Sequence, residues 1–446
     1  MPVAKVATGS VLPVLNRIDL RGRQGEALLA DLPRPNPAGD APLAAVRDII
    51  AAVRSDGDAA LQKFTAQFDG VDAPIRTVDA RELKAALENC DPTLRNALEE
   101  AAQAIVAFHN EQVQSEHVIN RKGIVVRGRQ QAVDRAGCYV PGGRGSYPSS
   151  VLMTVIPARV AGVNEIVLCV PPDRESGKIA DITLAAAAIA GVDEVYAVGG
   201  AQAIAAMAYG TETIRPVDVI AGPGNAYVAM AKREVAGQVG VPMAFAGPSE
   251  IVVVADSSAP VDFVAIDLMV QAEHGPDGLA WLVTTDAAVA DAVDAALAKL
   301  VSVAPRQKEI SSTFASGGFC ALVDSQQDVI DVVNFIAAEH VELMCADAEQ
   351  LANAIRHAGA VFIGPLSPAS IGDYVAGPSH VLPTFGSARF GSALTVSDFA
   401  KTVHIVEVTD TGFAWAAPLV AAIADAEGFA THAESVRLRQ RELGDT

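Results

Sequence analysis

Gln271 and His274 close an apolar stretch, 263–270, that reads as a helix, and Gly275 with Pro276 stops it. Three positions apart, an amide oxygen and an imidazole share one helical face and can present lone pairs to one cation. Two ligands do not hold a metal, and a histidine near a helix C-terminus is often only a cap. The remaining histidines decide how much weight the pair carries. His109, His117 and His357 read as polar helical faces and His404 as part of a strand-like run. The other three have acidic neighbours. His340 follows Glu339. Adjacent helical residues point about 100° apart, but at a helix end both can face one cleft and supply a base and a water-orienting carboxylate. The bland alternative is a solvated glutamate with a capping histidine. Asp373 and His380 frame 370–384, where glycine, proline and serine predict an irregular loop of the kind that often carries function. Glu427 and His432, five positions apart, fit no single helical face. They imply a turn projecting both, or two exposed polar residues. Gln271, His274, Asp373 and His432 make a mixed nitrogen and oxygen set that suits Zn²⁺ better than Mg²⁺ or Ca²⁺.

Apolar spacing of three and four predicts helices over 43–68 and 79–111. From residue 165 the pattern alternates. Strands at 165–170, 194–198 and 217–221 are followed by helices at 181–190, 201–209 and 225–236. A second alternation has strands at 251–255, 279–285, 320–324 and 360–363, with helices at 263–270, 287–300 and 328–338. This pattern predicts an α/β fold of two tandem Rossmann-like modules with parallel sheets, plus helical N- and C-terminal extensions. Three glycine-rich turns, 142–146, 199–202 and 222–225, carry neither G-x-G-x-x-G nor a Walker motif. They could open helices whose N–H groups meet a phosphate, or simply make tight turns.

The 446 residues are too many for one simple core, and half of them are apolar. No apolar run approaches the roughly 18 residues of a membrane span, and 1–20 lacks the features of a signal peptide. The expectation is a cytoplasmic chain. A net charge of −20 argues against nucleic acid or an anionic membrane as partner. The five cysteines, Cys90, Cys138, Cys169, Cys320 and Cys345, include no C-x-x-C pair, which argues against a disulfide framework or a thiolate zinc site. Cys138 is the one candidate nucleophile.

Several blocks follow one another along the chain: Gly137-Cys-Tyr-Val-Pro-Gly-Gly143, Ala221-Gly-Pro-Gly-Asn225, Ala246-Gly-Pro-Ser-Glu250, Gln271-Ala-Glu-His-Gly-Pro276, Glu339-His340, Gly372-Asp-Tyr374, His380-Val-Leu-Pro-Thr384, and the closing Glu427 and His432. Through these blocks the chain resembles the histidinol dehydrogenase family over about residues 35–440. It departs at Pro242-Met243-Ala244-Phe245, where the family usually has Ile-Asp, and at Ser379, where it commonly has Asn. The resemblance implies oxidation of L-histidinol to L-histidine through bound L-histidinal, with one Zn²⁺ per subunit and NAD. It implies Gln271, His274 and Asp373 as zinc ligands in one subunit of a homodimer, and His432 as a ligand from the other. It implies His340 as base and Glu339 as activator of water. Ser249, His380 and Glu427 would line the substrate pocket beside the zinc ligands, and Tyr139, Gln202 and Asn225 would touch NAD. The implied division is 1–34 as extension, 35–120 with 247–390 as a discontinuous domain holding metal and catalytic residues, 137–246 as the NAD side, and 391–446 as a tail crossing to the partner. Two other readings stand beside it: a paralogous zinc- and NAD-dependent alcohol dehydrogenase acting on another small polar alcohol such as a sulfonated diol, and a non-catalytic α/β binding protein.

Overall fold

Unbroken apolar runs such as Ile251-Val252-Val253-Val254 suit strands covered on both faces, which is the situation in parallel sheets. The computed structural model describes residues 14–33, 43–142, 145–242, 247, 249–275 and 278–444. Parts of the expected N-terminal extension (1–13 and 34) lie outside it. So do Gly143, Arg144, Met243, Ala244, Phe245, Ala246, Pro248, Pro276 and Asp277, which fall in or beside the blocks quoted above.

Two parallel sheets form the frame. The larger has six strands in the order Asn16–Asp19, Gly318–Leu322, Leu279–Thr284, Glu250–Ala255, His340–Met344, Ala360–Ile363. Helices Val261–Ala272, Ala287–Val303 and Gln307–Gly317 cover one face, and Gln326–Ile336 with Ala348–Ala354 covers the other. The smaller sheet has the order Glu194–Tyr196, Glu165–Cys169, Arg135–Tyr139, Val219–Ala221. Helices Pro148–Val160 and Asp181–Ala190 pack on one face; Gly200–Tyr209 and Ala226–Val235 pack on the other.

Several expectations need correction. Helices Leu43–Asp69, Ala80–Glu88 and Pro92–Asn110 were expected to accompany 247–390. They pack on the small-sheet module instead, placing Val46, Leu61 and Phe64 against one face and Leu98 and Ile105 against the other. Periodicity shows that a helix has an apolar face, not which sheet receives it. The expected single helix at 79–111 is two, because Asp91 caps a new helix whose first residue is Pro92. The N-terminal extension is not simply helical, since Asn16–Asp19 adds an edge strand to the large sheet beside Gly318–Leu322. Nor is the tail. Its β-branched run forms the strand Ala400–Val408, paired antiparallel with Ile124–Ala132, which in turn pairs with His117–Arg121. A hairpin of helices, Asp410–Ala426 and Ala430–Gly444, follows. Among the described residues, no helix is long and apolar enough to cross a membrane.

Candidate active site

Gln271 lies in the last turn of Val261–Ala272, and His274 follows the capping residue Glu273. Glu250 begins one strand of the large sheet. His340 begins the neighbouring strand, in register with Ile251. Glu339 and His340 were expected at a helix end. The helix stops at Ile336, Ala337 takes a left-handed φ of 53°, and the chain turns directly into the strand. Asp373 was expected in an irregular loop, but it lies on the short helix Ala369–Tyr374. The candidate catalytic groups therefore gather at the amino ends of the large sheet's strands, not at carboxyl ends.

The peptide of Glu250 holds two of them. Its N–H donates to Glu339 Oε2 at 3.0 Å, and its carbonyl accepts from His340 Nδ1 at 3.1 Å. His340 Nε2 then lies 3.4 Å from Asp373 Oδ1. Gln271 Nε2 is 3.4 Å from His340 Nδ1, while Gln271 Oε1 is buried without a partner. Burial pushes the Glu339 carboxyl up to about 7. Burial, with the neighbouring Glu339 charge, pushes Glu250 up to about 8. For His340 burial works downward, but the Glu339 and Asp373 carboxylates outweigh it and raise the imidazole to about 9. Burial lowers His274 and His380. Burial alone would raise Asp373, yet the His340 hydrogen bond and the surrounding imidazoles hold it below the usual carboxylate range.

His380 joins the modules. Its Nδ1 donates to the Asp373 carbonyl at 2.9 Å, and its Nε2 lies 3.2 Å from Ser150 Oγ on the first turn of Pro148–Val160. Ser249, half-buried, precedes Glu250 and ties to Leu279 through its carbonyl. Glu427 and His432 sit apart, on the exposed tail hairpin. There they line a hollow with Val420, Ile423, Ala424 and Phe429. Glu250 and Ser150 were missed from sequence. The only available signal was that each lies in or beside a glycine- and proline-bearing turn that enters a strand or helix.

Gln271, His274 and Asp373 offer a buried amide oxygen, a neutral imidazole and an ionised carboxylate, a donor set that fits Zn²⁺. Among the described residues, no three His, Cys, Asp or Glu side chains stand together as a metal group. Within one chain this set has one imidazole and one carboxylate.

The residues expected to touch NAD lie on the small sheet and the turns that leave it. Its chain leaves Arg135–Tyr139 for strands on one side and returns on the other at Val219–Ala221. At such a reversal open α/β sheets have a crevice outside the carboxyl ends of the strands, where ligands bind. Tyr139 ends the central strand there, and its hydroxyl accepts the Gly200 N–H at 3.1 Å. Gly222 has φ +111°, and a Cβ would strike the Tyr139 carbonyl, so only glycine fits this turn. Asn225 caps Ala226–Val235 through the N–H groups of Tyr227 and Val228. Buried Lys232 donates to the Gly222 carbonyl from below. Gln202 is buried in the first turn of Gly200–Tyr209 with both amide atoms unpartnered. Cys138 is no nucleophile: it is fully enclosed, and burial pushes its thiol up to about 12.

The family model for histidinol dehydrogenase matches residues 33–440. The chain belongs to the histidinol dehydrogenase family. A histidinol dehydrogenase of Pseudomonas putida is 48% identical over 398 residues, covering 88% of this chain and 90% of the relative. One from Bacillus subtilis is 44% identical, with 89% and 93% covered. The crystal structure of histidinol dehydrogenase from Elizabethkingia anophelis superposes with a TM-score of 0.92 at 33% identity, covering 98% of this chain and all of that one. Members of the histidinol dehydrogenase family are oxidoreductases, so the chain is an enzyme and not a binding protein. The comparisons do not support the sulfonated-diol alternative.

Proposed function

We propose that this enzyme oxidises L-histidinol to L-histidine in two NAD-dependent steps, with L-histidinal kept in the site between them. The observation that carries the reading is the Glu250 peptide holding Glu339 and His340 together beside Asp373. With Nδ1–H fixed on a carbonyl, His340 turns Nε2 toward the cleft, where its neutral form takes the proton of the substrate hydroxyl; the raised imidazole makes that form more abundant as pH rises toward 9. For the aldehyde, Glu339 takes a proton from water as the water adds to the carbonyl carbon. His340 then removes the hydroxyl proton of the hydrate. The overall balance is one alcohol, one water and two NAD giving one carboxylate, two NADH and three protons.

NAD, bound by Tyr139, Gln202 and Asn225 at the small sheet's reversal point, would accept the hydride in each oxidation. Zn²⁺, held by Gln271, His274, Asp373 and His432 of the partner subunit, would fix the substrate's imidazole and amine. Ser249, His380 and Glu427 complete the substrate pocket. The exposed hairpin carrying Glu427 and His432 supports a homodimer whose tail, 391–446, reaches the other subunit's site. In this division 247–390 supplies the metal and catalytic groups and 137–246 the NAD side. A closed site suits a reactive amino aldehyde, because it keeps the aldehyde from side reactions. A cytoplasmic location belongs to the same reading.

The test is NADH formation with L-histidinol against a panel of small alcohols that includes a sulfonated diol. Two NADH per histidine formed is the expected stoichiometry. Turnover of another alcohol with none of L-histidinol would overturn the reading.

A further inference from the structure

The helix Leu43–Asp69 ends beside the crevice of the small sheet, and its last residue carries an unused carboxylate oxygen. Asp69 Oδ2 is buried and has no hydrogen-bond partner. Its charge acts on the phenol of Tyr139, which ends the central strand at that crevice. The cation facing Asp69 is Arg174, from the loop after Glu165–Cys169. Arg174 Nη2 donates to the Phe68 carbonyl at 2.7 Å, and its stem lies against Gly70, whose φ is +74°. Burial pushes the Asp69 carboxyl up to about 6, with Arg174 working against the rise, so the group is ionised above neutral pH.

An ionised carboxylate with an unpartnered oxygen at this position has a chemical consequence. It accepts hydrogen bonds from a vicinal diol, and it repels a phosphate ester on the same sugar, which carries about −1.5 to −2 charges. In doubly wound folds an acidic side chain in the nucleotide crevice reads the ribose in this way, and an arginine near it accommodates a 2′-phosphate. Here the acid arrives from a helix that precedes the sheet, so no dinucleotide fingerprint in the sequence points to it.

We propose that Asp69 accepts the ribose hydroxyls of NAD and sets the preference for NAD over NADP, with Arg174 beside it as the latent partner of a 2′-phosphate. The proposal rests on the NAD-dependent reading above and adds a specificity-determining residue to it.

The test is steady-state kinetics of the full-length enzyme with saturating L-histidinol, at about pH 8, where an ordinary or moderately raised carboxyl is ionised. NAD and NADP are each varied for the wild type and for Asp69→Asn, Asp69→Ser and Asp69→Glu. In the Asn and Ser variants the KM for NAD should rise about tenfold or more, the scale of one lost hydrogen bond to a charged group. In the same variants kcat and the KM for L-histidinol should stay within about twofold, a change too small to reflect a lost contact. The ratio of kcat/KM for NAD to that for NADP should fall by about 10- to 100-fold, and adding Arg174→Ala should remove the gain with NADP. Asp69→Glu should keep most of the preference. An unchanged ratio in the Asn and Ser variants overturns the proposal while leaving the NAD-dependent reading intact. Equal losses with both cofactors in all three variants, together with a lowered melting temperature, mean a structural role and also overturn it. If the wild type fails to reduce NAD with L-histidinol, the reading under Proposed function falls, and this one with it.

Discussion

His340 Nδ1 donates to the carbonyl of Glu250 at 3.1 Å, so the tautomer of the candidate base is set by a backbone group that no side-chain substitution removes. The N–H of the same residue holds the Glu339 carboxylate at 3.0 Å. The two groups therefore share one support but have separate roles, which can be separated experimentally.

An alcohol needs only its proton removed, whereas an aldehyde must first gain water. Glu339→Gln keeps the size and loses the charge, and it should slow aldehyde oxidation far more than alcohol oxidation. His340→Asn should slow both by about 10²- to 10⁴-fold, the usual worth of a general base. Single-turnover assays started separately from L-histidinol and L-histidinal separate the outcomes. Equal losses in both steps for Glu339→Gln would show that the carboxylate merely positions His340.

Gln271 Oε1 is buried with nothing to accept from, a costly state unless a cation or donor meets it. Purified enzyme should hold one zinc per chain. Asp373→Asn and His274→Ala should each weaken zinc binding at least about 100-fold, since a ligand counts for more than the outer-shell partners whose loss costs 10- to 100-fold. Metal content by plasma mass spectrometry reads this directly. Full zinc occupancy in both variants would refute the ligand set.

Glu427 and His432 face a hollow on an exposed hairpin. If that hairpin completes the other subunit's site, inactive His340→Ala mixed with inactive His432→Ala should regain activity. Random exchange leaves one intact site in each mixed dimer, so about a quarter of wild-type activity should return. No recovery after subunit exchange has been shown by native mass spectrometry would mean that each site is built within one chain.

Strands such as Glu165–Cys169 and Glu250–Ala255 and several of the helices around them were legible because their apolar residues follow periods of two, of three to four, or unbroken buried runs, whereas the strands Asn16–Asp19, Arg135–Tyr139 and His340–Met344 went unread. Helix Pro148–Val160 was not legible either. It is buried along most of its length, has Pro157 inside it, and shows no polar stripe to mark a period. The motif blocks named the chemical types of Gln271, His274, Glu339, His340, Asp373 and His380, but not how they meet. A helix ending at Ile336 rather than near 338 moved Glu339 and His340 from a helix end to a strand start, a shift within the ordinary uncertainty of helix boundaries. The role of Glu250 could not be seen at all, because it acts through its peptide group, which every residue has.

At the amino end of the small sheet, Arg135 is buried and bonds Glu194 at 2.8 Å and Glu165 at 2.9 Å, while Arg215 bonds the same two carboxylates. The Tyr196 hydroxyl also donates to Glu194 at 2.8 Å. The Arg135 guanidinium, aided by Tyr196 and Arg215 and opposed by burial, holds the Glu194 carboxyl down to about 2, against an ordinary value near 4.5. A carboxyl depressed in the folded state stabilises the fold above its unfolded pKa, and that stabilisation is lost as pH falls toward the folded one. The window here runs from about pH 4.5 down to about 2. Glu194 is about one-fifth exposed, so screening trims the full linkage value and leaves about 1–3 kcal/mol. Glu194→Gln should therefore be less stable than wild type by that amount at pH 7. The gap should shrink steadily below about pH 4.5, because only the wild type still has a proton to gain at this site. Urea unfolding of both proteins from pH 7 to 3 measures it, and taking the difference cancels the other carboxylates. A gap as wide at pH 3 as at pH 7 would mean that Glu194 contributes through packing and hydrogen bonding rather than through its charge.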